Sequence, residues 1–220
     1  MAGFPFAARH GYADRREAGL ALARDLSRFA GQPAAVLALP RGGVPVAFEV
    51  ARALGAPLDI FVVRKLGVPG HEELAMGAVA SGGTRVLNDD VIRWYSVSPD
   101  VIDRVTRDEQ EEIARRERAY RGDRPPLDVA RRTVLLVDDG LATGSTMHAA
   151  VQAVRTLGPA RIIVAVPVGS REACAALRRV ADEVVCPLVP EPFSAVGPWY
   201  ADFTQTSDEE VRALLEASQA

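Results

Sequence analysis

The chain of 220 residues lacks the features that mark several large protein classes. It has two cysteines, Cys174 and Cys186, which form no CxxC motif, so we expect neither a disulfide framework nor a cysteine metal site. No apolar run approaches the ~18 residues of a membrane-spanning helix. The segment from Met1 to Gly11 has no basic stretch followed by an apolar one, as a secretory signal would. These absences predict a cytoplasmic protein with no membrane partner.

A large excess of charge of one sign is also missing. The formal net charge is −3, which leaves no general footprint for a nucleic-acid partner. Hydrophobic residues make up 48% and charged residues 25%, as in an ordinary globular protein, and the length suits one domain with a sizeable core. The sequence shows no internal repeat and no low-complexity tract. We therefore expect a single domain over residues 1–220.

The most informative segment lies in the second half of the chain. Residues 134–137 are apolar and predict a buried strand, and Asp138 and Asp139 follow directly. A turn of glycine, small and hydroxyl residues (140–146) then leads into a helical pattern (147–157). In open α/β sheets ligands bind beyond the carboxyl ends of the strands, and a helix N-terminus there suits a phosphate. Ionised carboxylates accept hydrogen bonds from vicinal hydroxyls. The segment therefore predicts a site for a ribose 5-phosphate.

The same segment has two other interpretations. The acids can simply cap the helix of an ordinary strand-turn-helix unit. A Walker A loop would instead need G-x-x-x-x-G-K-[ST], but Gly140 and Gly144 are too close together and Ser145 stands where the lysine should be. The Walker A interpretation is thereby excluded, and the capping interpretation stays open.

The same residues resemble the 5-phosphoribosyl-1-pyrophosphate (PRPP) signature of the type I phosphoribosyltransferases, an apolar strand and two acids before an Ala-Thr-Gly-x-Thr loop. The resemblance implies an α/β fold: a doubly wound parallel sheet flanked by helices, with a flexible loop and a small C-terminal hood. It implies that Asp138 and Asp139 are catalytic, binding the ribose hydroxyls and stabilising positive charge on the ring. It also implies a 5′-phosphate site formed by Ala142, Thr143, Gly144, Ser145 and Thr146.

Alternating strands and helices independently predict a parallel sheet. The core is expected over about 34–188, with strands at 34–39, 58–63, 134–137, 161–166 and 183–188. Helices are expected at 14–29, 44–54, 147–157 and 171–180, and a capping box at Ser207 opens the last one. Residues 78–80 and 84–87 predict a hairpin.

A polar helix is predicted as an insertion at about 98–121. Ser98 suits its cap and Pro99 its first position, and acids precede bases by four residues along it. Its apolar stripe is thin, comprising Ile102, Val105 and Ile113. The helix is therefore either a solvated surface element or a contact in a homodimer.

Two further strand ends carry groups suited to an anion. Arg41, Gly42 and Gly43 follow the first strand, where glycines permit a close approach and arginine offers a bidentate fork. They resemble the pyrophosphate loop of the family, although a plain strand-to-helix turn also explains them. Lys65 is expected to end the second strand. The resemblance implies that Lys65 is catalytic and that it acts with Arg41, Gly42 and Gly43 on pyrophosphate and Mg²⁺. The ion is expected mainly on substrate oxygens, with Asp202 as a candidate protein ligand.

The segment from Leu66 to Gly77 is rich in glycine, proline and charge, which predicts a loop. Its beginning is similar to the entry into the flexible loop of adenine phosphoribosyltransferases. The resemblance implies a lid that carries His71, Glu72 and Glu73 and excludes water. A solvated loop with incidental charges is the alternative.

Residues 189–206 are irregular and aromatic, and part of this segment is similar to the hood of the 6-oxopurine branch. The spacing from Gly197 to Asp202 is one residue longer here than in that branch. The resemblance implies base-binding residues in the hood, namely Phe193, Val196, Trp199 and Tyr200. For the aromatic members, a core cluster is the alternative.

The range of expected acceptor bases is narrowed by one residue that differs from the 6-oxopurine branch. That branch has an aspartate at the position of Ala142, where it meets the purine, so hypoxanthine and guanine are disfavoured and adenine or a non-purine heterocycle is expected. The chain is most similar to a group of bacterial predicted phosphoribosyltransferases whose acceptor is unknown. We expect Mg²⁺-dependent transfer of phosphoribose from PRPP to a nitrogenous base. A non-catalytic PRPP-binding regulator and a hydrolase are the alternatives.

Overall fold

The computed structural model describes residues 11–219, so most of the segment expected to lack a secretory signal lies outside the described residues. A five-stranded parallel sheet forms the centre of the molecule. With all strands numbered along the chain, it comprises β1 Ala34–Ala38, β2 Leu58–Ile60, β6 Thr133–Val137, β7 Arg161–Ala165 and β8 Glu183–Val185. These strands lie side by side in the order β2-β1-β6-β7-β8.

Seven helices are present among the described residues: α1 Arg15–Asp25, α2 Gly43–Leu54, α3 Asp89–Trp94, α4 Pro99–Arg121, α5 Ser145–Arg155, α6 Arg171–Leu177 and α7 Asp208–Ala217. The core on one face of the sheet receives side chains from α1, α2, α4 and α7, and the core on the other face from α5 and α6. The expected doubly wound α/β fold is therefore confirmed.

Strand β1 illustrates why the sheet is buried on both faces. Val36 and Ala38 join one core, while Ala35 and Leu37 join the other. A strand with apolar residues on both faces needs a helical layer on each side, as parallel sheets have. The chain leaves β1 toward β2 on one side and continues from β6 toward β7 and β8 on the other. The neighbouring ends of β1 and β6 are therefore the point where the strand order reverses, and ligands of such sheets bind there.

A second, antiparallel sheet stands beside the first one. It comprises β3 Val63–Val68, β4 His71–Ala80 and β5 Arg85–Leu87. The expected 78–80/84–87 hairpin is the β4–β5 pair. The predicted second strand was too long, since β2 ends at Ile60.

The prediction of a loop from Leu66 to Gly77 was wrong. This segment belongs to a β3–β4 hairpin that turns at residues 69–70. Leu66, Val68 and Met76 are almost fully buried and supply the apolar face that the glycine and proline content concealed. The glycines mark the irregular places instead: the pairing register shifts on both sides of Gly67, and Gly70 has a φ of +80° in the turn.

Helix α4 matches its predicted bounds and is more than a solvated element. Ile102 and Ile113 are buried in the core. Glu112 pairs with Arg116 at 2.7 Å, which is one of the predicted acid–base pairs four residues apart. Asp103 instead pairs with Arg85 of β5 at 2.7 Å. No helix within residues 11–219 is long and apolar enough to cross a membrane.

Candidate functional site

The segments that follow β1 and β6 meet at the sheet edge. A Cβ atom on Gly42 would lie 2.0 Å from Asp139 Oδ2, and one on Gly43 would lie 2.8 Å from the Val137 carbonyl oxygen. Both distances are well inside van der Waals contact. The two glycines are therefore required because the loop after β1 packs directly against the acids.

Asp138 and Asp139 stand at the end of β6 in a poorly solvated position. Asp138 Oδ1 accepts the backbone N–H of Asp139 at 2.8 Å. Burial, with the neighbouring charge of Asp139, raises the pKa of Asp138 well above its usual range. Burial also raises the pKa of Asp139, and a hydrogen bond from Arg15 opposes that rise. Neither acid caps the following helix, since α5 begins after Gly144 and no described side chain caps its first turn.

Arg15, in the first turn of α1, was missed by the sequence analysis. Its Nε donates to Asp139 Oδ2 at 2.8 Å, and its Nη1 donates to the Thr204 carbonyl oxygen at 2.7 Å. Its guanidinium carbon lies 4.0 Å from the centroid of the Phe203 ring, and the side chain is 11% exposed. No local pattern distinguishes Arg15 from its neighbour Arg16, which pairs with Glu49 instead.

Tyr200 holds the backbone of the same acid. Its hydroxyl donates to the Asp139 carbonyl oxygen at 2.6 Å, and burial raises its pKa. The residue is 3% exposed, with the rings of Tyr12 and Phe203 centred 5.8 Å and 5.1 Å away. Tyr200 therefore has no open face on which a base could stack. The core alternative describes it, and its expected base-binding role is corrected to a structural one.

The hood also rests on a strip near the N-terminus that the sequence analysis did not connect with it. The backbone N–H of Tyr12 donates to the Trp199 carbonyl oxygen at 2.9 Å. In return, Ala201 N–H donates to the Tyr12 carbonyl oxygen at 2.9 Å, and Asp202 N–H to the Ala13 carbonyl oxygen at 2.8 Å. The hood is therefore anchored through its backbone.

The remaining hood candidates keep part of their surface open. Phe193, Val196 and Trp199 are partly buried against a small cluster formed by Ala18, Val168 and Tyr200. Val196 also limits the loop after β6, since a Cβ atom on Gly140 would lie 2.6 Å from one of its methyl groups. Phe193 and Trp199 are the aromatic candidates that remain for stacking on a base.

Asp202, the candidate metal ligand, is exposed and engaged locally. Its Oδ1 accepts the hydroxyl and the backbone N–H of Thr204 at 2.6 Å and 2.9 Å, and these bonds lower its pKa. Among the described residues, no three His, Cys, Asp or Glu side chains come together to hold a metal ion. Mg²⁺ often binds through only one or two carboxylates together with substrate phosphates, and a site of that kind needs no such cluster.

The loop from 142 to 146 has an open, polar surface. Thr143, Ser145 and Thr146 are exposed, and α5 begins at Ser145 directly after Gly144, whose φ is +74°. Ser145 N–H reaches the Thr143 hydroxyl oxygen at a long 3.4 Å, and the first amides of a helix have no partner within it. The arrangement presents hydroxyl and amide donors to an anion.

This loop is fixed from below by Ser170. The Ser170 hydroxyl donates to the Ala142 carbonyl oxygen at 2.8 Å, and its backbone N–H donates to the Leu141 carbonyl oxygen at 2.9 Å. Ser170 also caps α6. The backbone of the loop is therefore held in place by the protein, while the side chains of Thr143, Ser145 and Thr146 stay exposed.

Lys65 does not end a strand of the parallel sheet but lies exposed in β3. It lines a cavity of about 540 Å³ together with Ser145 and His148, and another of about 570 Å³ together with Thr146. Lys65 therefore lies near the loop from 142 to 146, as expected, but it belongs to the antiparallel sheet and not to the end of a parallel strand.

The other expected anion and lid residues occupy the rim. Arg41 is partly exposed, and its Nη1 lies 3.4 Å from Asp208 Oδ1, a long contact. His71, Glu72 and Glu73 are exposed at the start of β4. These side chains belong to a hairpin that borders the sheet edge, not to a free loop.

With this geometry in place, the comparison with known proteins decides the family. A model of the phosphoribosyl transferase domain matches residues 15–200. The chain belongs to the phosphoribosyl transferase family. The matched range begins at Arg15 and ends at Tyr200, the two residues that hold Asp139.

Individual relatives support this family membership. Two Mycobacterium tuberculosis proteins, Rv0571c and MT0597, are provisionally named phosphoribosyl transferases and are 48% identical over 203 residues, or 92% of this chain. The chain spans about half (46%) of the length of these relatives. The crystal structure of TT1426 from Thermus thermophilus is 45% identical, with a TM-score of 0.84 over 93% of this chain and 97% of that one.

Proposed function

We propose that the chain transfers the 5-phosphoribosyl group of PRPP to a nitrogenous base. One observation carries the proposal: an acid pair at the end of β6 leads within a few residues into an open loop of hydroxyl and amide donors at the start of α5. A ribose with a 5′-phosphate has the matching groups in the matching order. In the reaction, the bond from C1′ to pyrophosphate breaks and a bond from C1′ to the acceptor nitrogen forms.

The proposed roles follow from the chemistry of each group. Asp138 and Asp139 accept the ribose hydroxyls, and their charge stabilises the positive character of the ring in the transition state. The loop residues Ala142, Thr143, Gly144, Ser145 and Thr146 hold the 5′-phosphate. Arg41, Gly42, Gly43 and Lys65 face the pyrophosphate. Mg²⁺ bound to pyrophosphate would neutralise charge on the leaving group.

The β3–β4 hairpin is proposed to act as the lid. Its tip at residues 69–70 and the side chains of His71, Glu72 and Glu73 are exposed, so this outer part can move over a ligand while the buried Leu66, Val68 and Met76 keep the rest of the hairpin in the core. A lid excludes water, which would otherwise intercept the ribosyl transition state. We expect PRPP with Mg²⁺ to slow hydrogen exchange in residues 66–77, and unchanged exchange would contradict the lid role.

The acceptor is proposed to lie between the hood and the phosphate loop. Phe193 and Trp199 offer partly open aromatic faces, and stacking on a base is tolerant of its identity. Ala142 supplies no carboxylate, so hypoxanthine and guanine lack a partner that would accept a purine proton. Adenine or a non-purine nitrogen heterocycle is therefore the preferred acceptor class.

An assay of pyrophosphate release tests the function. PRPP and Mg²⁺ are incubated with the protein and a panel containing adenine, hypoxanthine, guanine and non-purine heterocycles, with the Asp138→Asn/Asp139→Asn protein as the control. We expect release with one of the favoured bases and little with hypoxanthine or guanine. Binding of PRPP without release for any base would support the regulator instead, and no binding at all would refute the proposal.

A further inference from the structure

In each carboxylate of the acid pair, one oxygen accepts a hydrogen bond from the described part of the protein and the other does not. Asp138 Oδ1 accepts the Asp139 N–H, and Asp139 Oδ2 accepts Arg15 Nε. Within residues 11–219, the other oxygen of each carboxylate accepts no hydrogen bond from the protein. One oxygen from each acid therefore remains for a ligand, which matches the two vicinal hydroxyls of a ribose.

We propose that Arg15 is a positioning residue for ribose binding, which holds Asp139 as a charged acceptor and turns its free oxygen toward a ribose hydroxyl. The inference rests on the proposed function. It assigns to Arg15 a role that acts through Asp139, not by direct contact with the substrate.

The electrostatics of the pair require such a residue. Two adjacent carboxylates in a poorly solvated place disfavour double ionisation, so that one of them tends to keep a proton. Arg15, whose guanidinium stays charged, is the cation in contact with the pair in the described part of the chain. Tyr200 also faces Asp139, but it donates to the carbonyl oxygen and burial keeps its hydroxyl neutral. Without Arg15, the main contact that opposes the rise of the Asp139 pKa would be lost, so Asp139 would take up a proton at a higher pH than in the wild type.

The geometry explains why an arginine occupies this position. The same planar guanidinium donates through Nε to Asp139, donates through Nη1 to the Thr204 carbonyl oxygen and stacks on the Phe203 ring. A lysine ammonium can supply the charge but not this three-way arrangement. Arg15 is therefore fixed by the hood before any ligand arrives, and the carboxylate that it holds is fixed with it.

The test compares Arg15→Met and Arg15→Lys with the wild type and with Arg16→Met. Arg16 is the matched control because it lies beside Arg15 in α1 but is 69% exposed and pairs with Glu49, which Arg52 also holds. Calorimetry measures PRPP affinity with Mg²⁺ from about pH 5 to about pH 9, a range that brackets a carboxylate with a raised pKa. The melting temperature of each variant is recorded alongside.

We expect wild type and Arg16→Met to bind alike. Arg15→Met should bind PRPP about 10- to 100-fold more weakly at neutral pH. As the pH is lowered, its affinity should begin to fall at a higher pH than the affinity of the wild type does. Arg15→Lys should keep the wild-type pH dependence and bind more weakly, because the charge remains and the geometry is lost.

The outcomes separate this inference from the function on which it rests. A wild type that does not bind PRPP overturns the proposed function and the inference with it. If the wild type binds, then an Arg15→Met protein with unchanged affinity and pH dependence overturns the inference alone, even if its melting temperature falls. If Arg15→Met does not fold, Arg15→Lys decides: weaker binding supports the positioning role, and unchanged affinity overturns it.

Discussion

The acid pair and the loop from 142 to 146, which are neighbours at the sheet edge, differ in how far the protein satisfies their polar groups. Asp138 and Asp139 are enclosed by Gly42, Arg15 and Tyr200, and two of their four carboxylate oxygens already have partners. The loop from 142 to 146 is held through its backbone by Ser170, and its hydroxyl side chains are exposed to solvent.

The difference follows from what each half of the proposed ligand brings. A phosphate arrives with its own charge and needs only donors. Hydroxyls bind most strongly to a carboxylate that is ionised and correctly aimed, so this half of the site must be prepared by the protein. Substitutions around the acids should therefore have larger effects than substitutions in the loop.

The largest effect is expected from the acids themselves. In Asp138→Asn/Asp139→Asn, the ribose hydroxyls lose their charged acceptors, which corresponds to at least ~100-fold weaker PRPP binding. Circular dichroism should show an unchanged fold, since both substitutions keep the shape of the side chains. Wild-type affinity in this variant, measured by calorimetry, would remove the ribose from this end of the site.

The second effect tests the enclosure rather than the acids. In Gly42→Ala, the new Cβ atom would lie 2.0 Å from Asp139 Oδ2, so the carboxylate must move. We expect PRPP affinity to fall by about 10-fold or more because a small displacement of a binding group is costly. Titration calorimetry on the purified variant measures this loss.

Gly31→Ala is the matched control for Gly42→Ala. Gly31 has a φ of +73° with no neighbour within 4 Å of a Cβ atom, so its substitution strains only the local backbone. It should cost about 1–2 kcal/mol of stability and leave PRPP affinity unchanged. If both variants lose affinity equally, the effect reflects general destabilisation and the close packing of Gly42 has no special role.

How much of this comparison the sequence predicted depends on the distance over which each contact is made. The placement of the acids and the loop between a buried strand and a helix was predicted correctly because strand, turn and helix form one continuous segment. The hood was placed correctly as an irregular segment, but Tyr200 was expected on the base and lies instead under Asp139. Arg15 was missed because 124 residues separate it from its partner and no periodicity links them.

The misread hairpin had a different cause. In residues 66–77, glycine and proline content outweighed the alternation of Leu66 and Val68 that a strand requires. Gly67 sits in an irregularity of the pairing and Gly70 in the turn, so both glycines are compatible with strands on either side. Composition alone could not distinguish a loop from a hairpin in this segment.

The third effect concerns the open half of the site and should be smaller. Thr143→Val with Thr146→Val removes two exposed hydroxyl donors but leaves the backbone amides and the helix N-terminus in place. We expect PRPP affinity to fall by about 10-fold, less than for the acids. Thr156→Val is the control, because Thr156 follows the far end of the same helix and its hydroxyl donates to Ala153. A loss as large as that of the acid variant would erase the proposed difference between the two halves.

The smallest effect is on stability, and its sign depends on pH. Burial raises the pKa of Asp138 well above its usual range, so the folded state binds the proton more tightly than the unfolded state does. The stabilising contribution of Asp138 is therefore complete below its ordinary pKa of about 4 and is lost as the pH rises through the higher folded value. Asp138→Asn stays neutral throughout, so its melting temperature should exceed that of the wild type at neutral pH by a few degrees, about 2–4 °C per kcal/mol.

Asp182 provides a control of opposite sign for this pH dependence. Burial alone would raise its pKa, but the Ile162 N–H and Arg155 outweigh burial and lower it. Its contribution is thus present above its ordinary pKa and lost as the pH falls through the lower folded value, so Asp182→Asn should destabilise the fold at neutral pH. Thermal melts of both variants from about pH 4 to about pH 8 should give curves that diverge from the wild type in opposite directions as the pH rises. If Asp138→Asn is instead less stable than the wild type at neutral pH, the acid pair is not held at a cost to the fold, and the contrast with the open loop loses its physical basis.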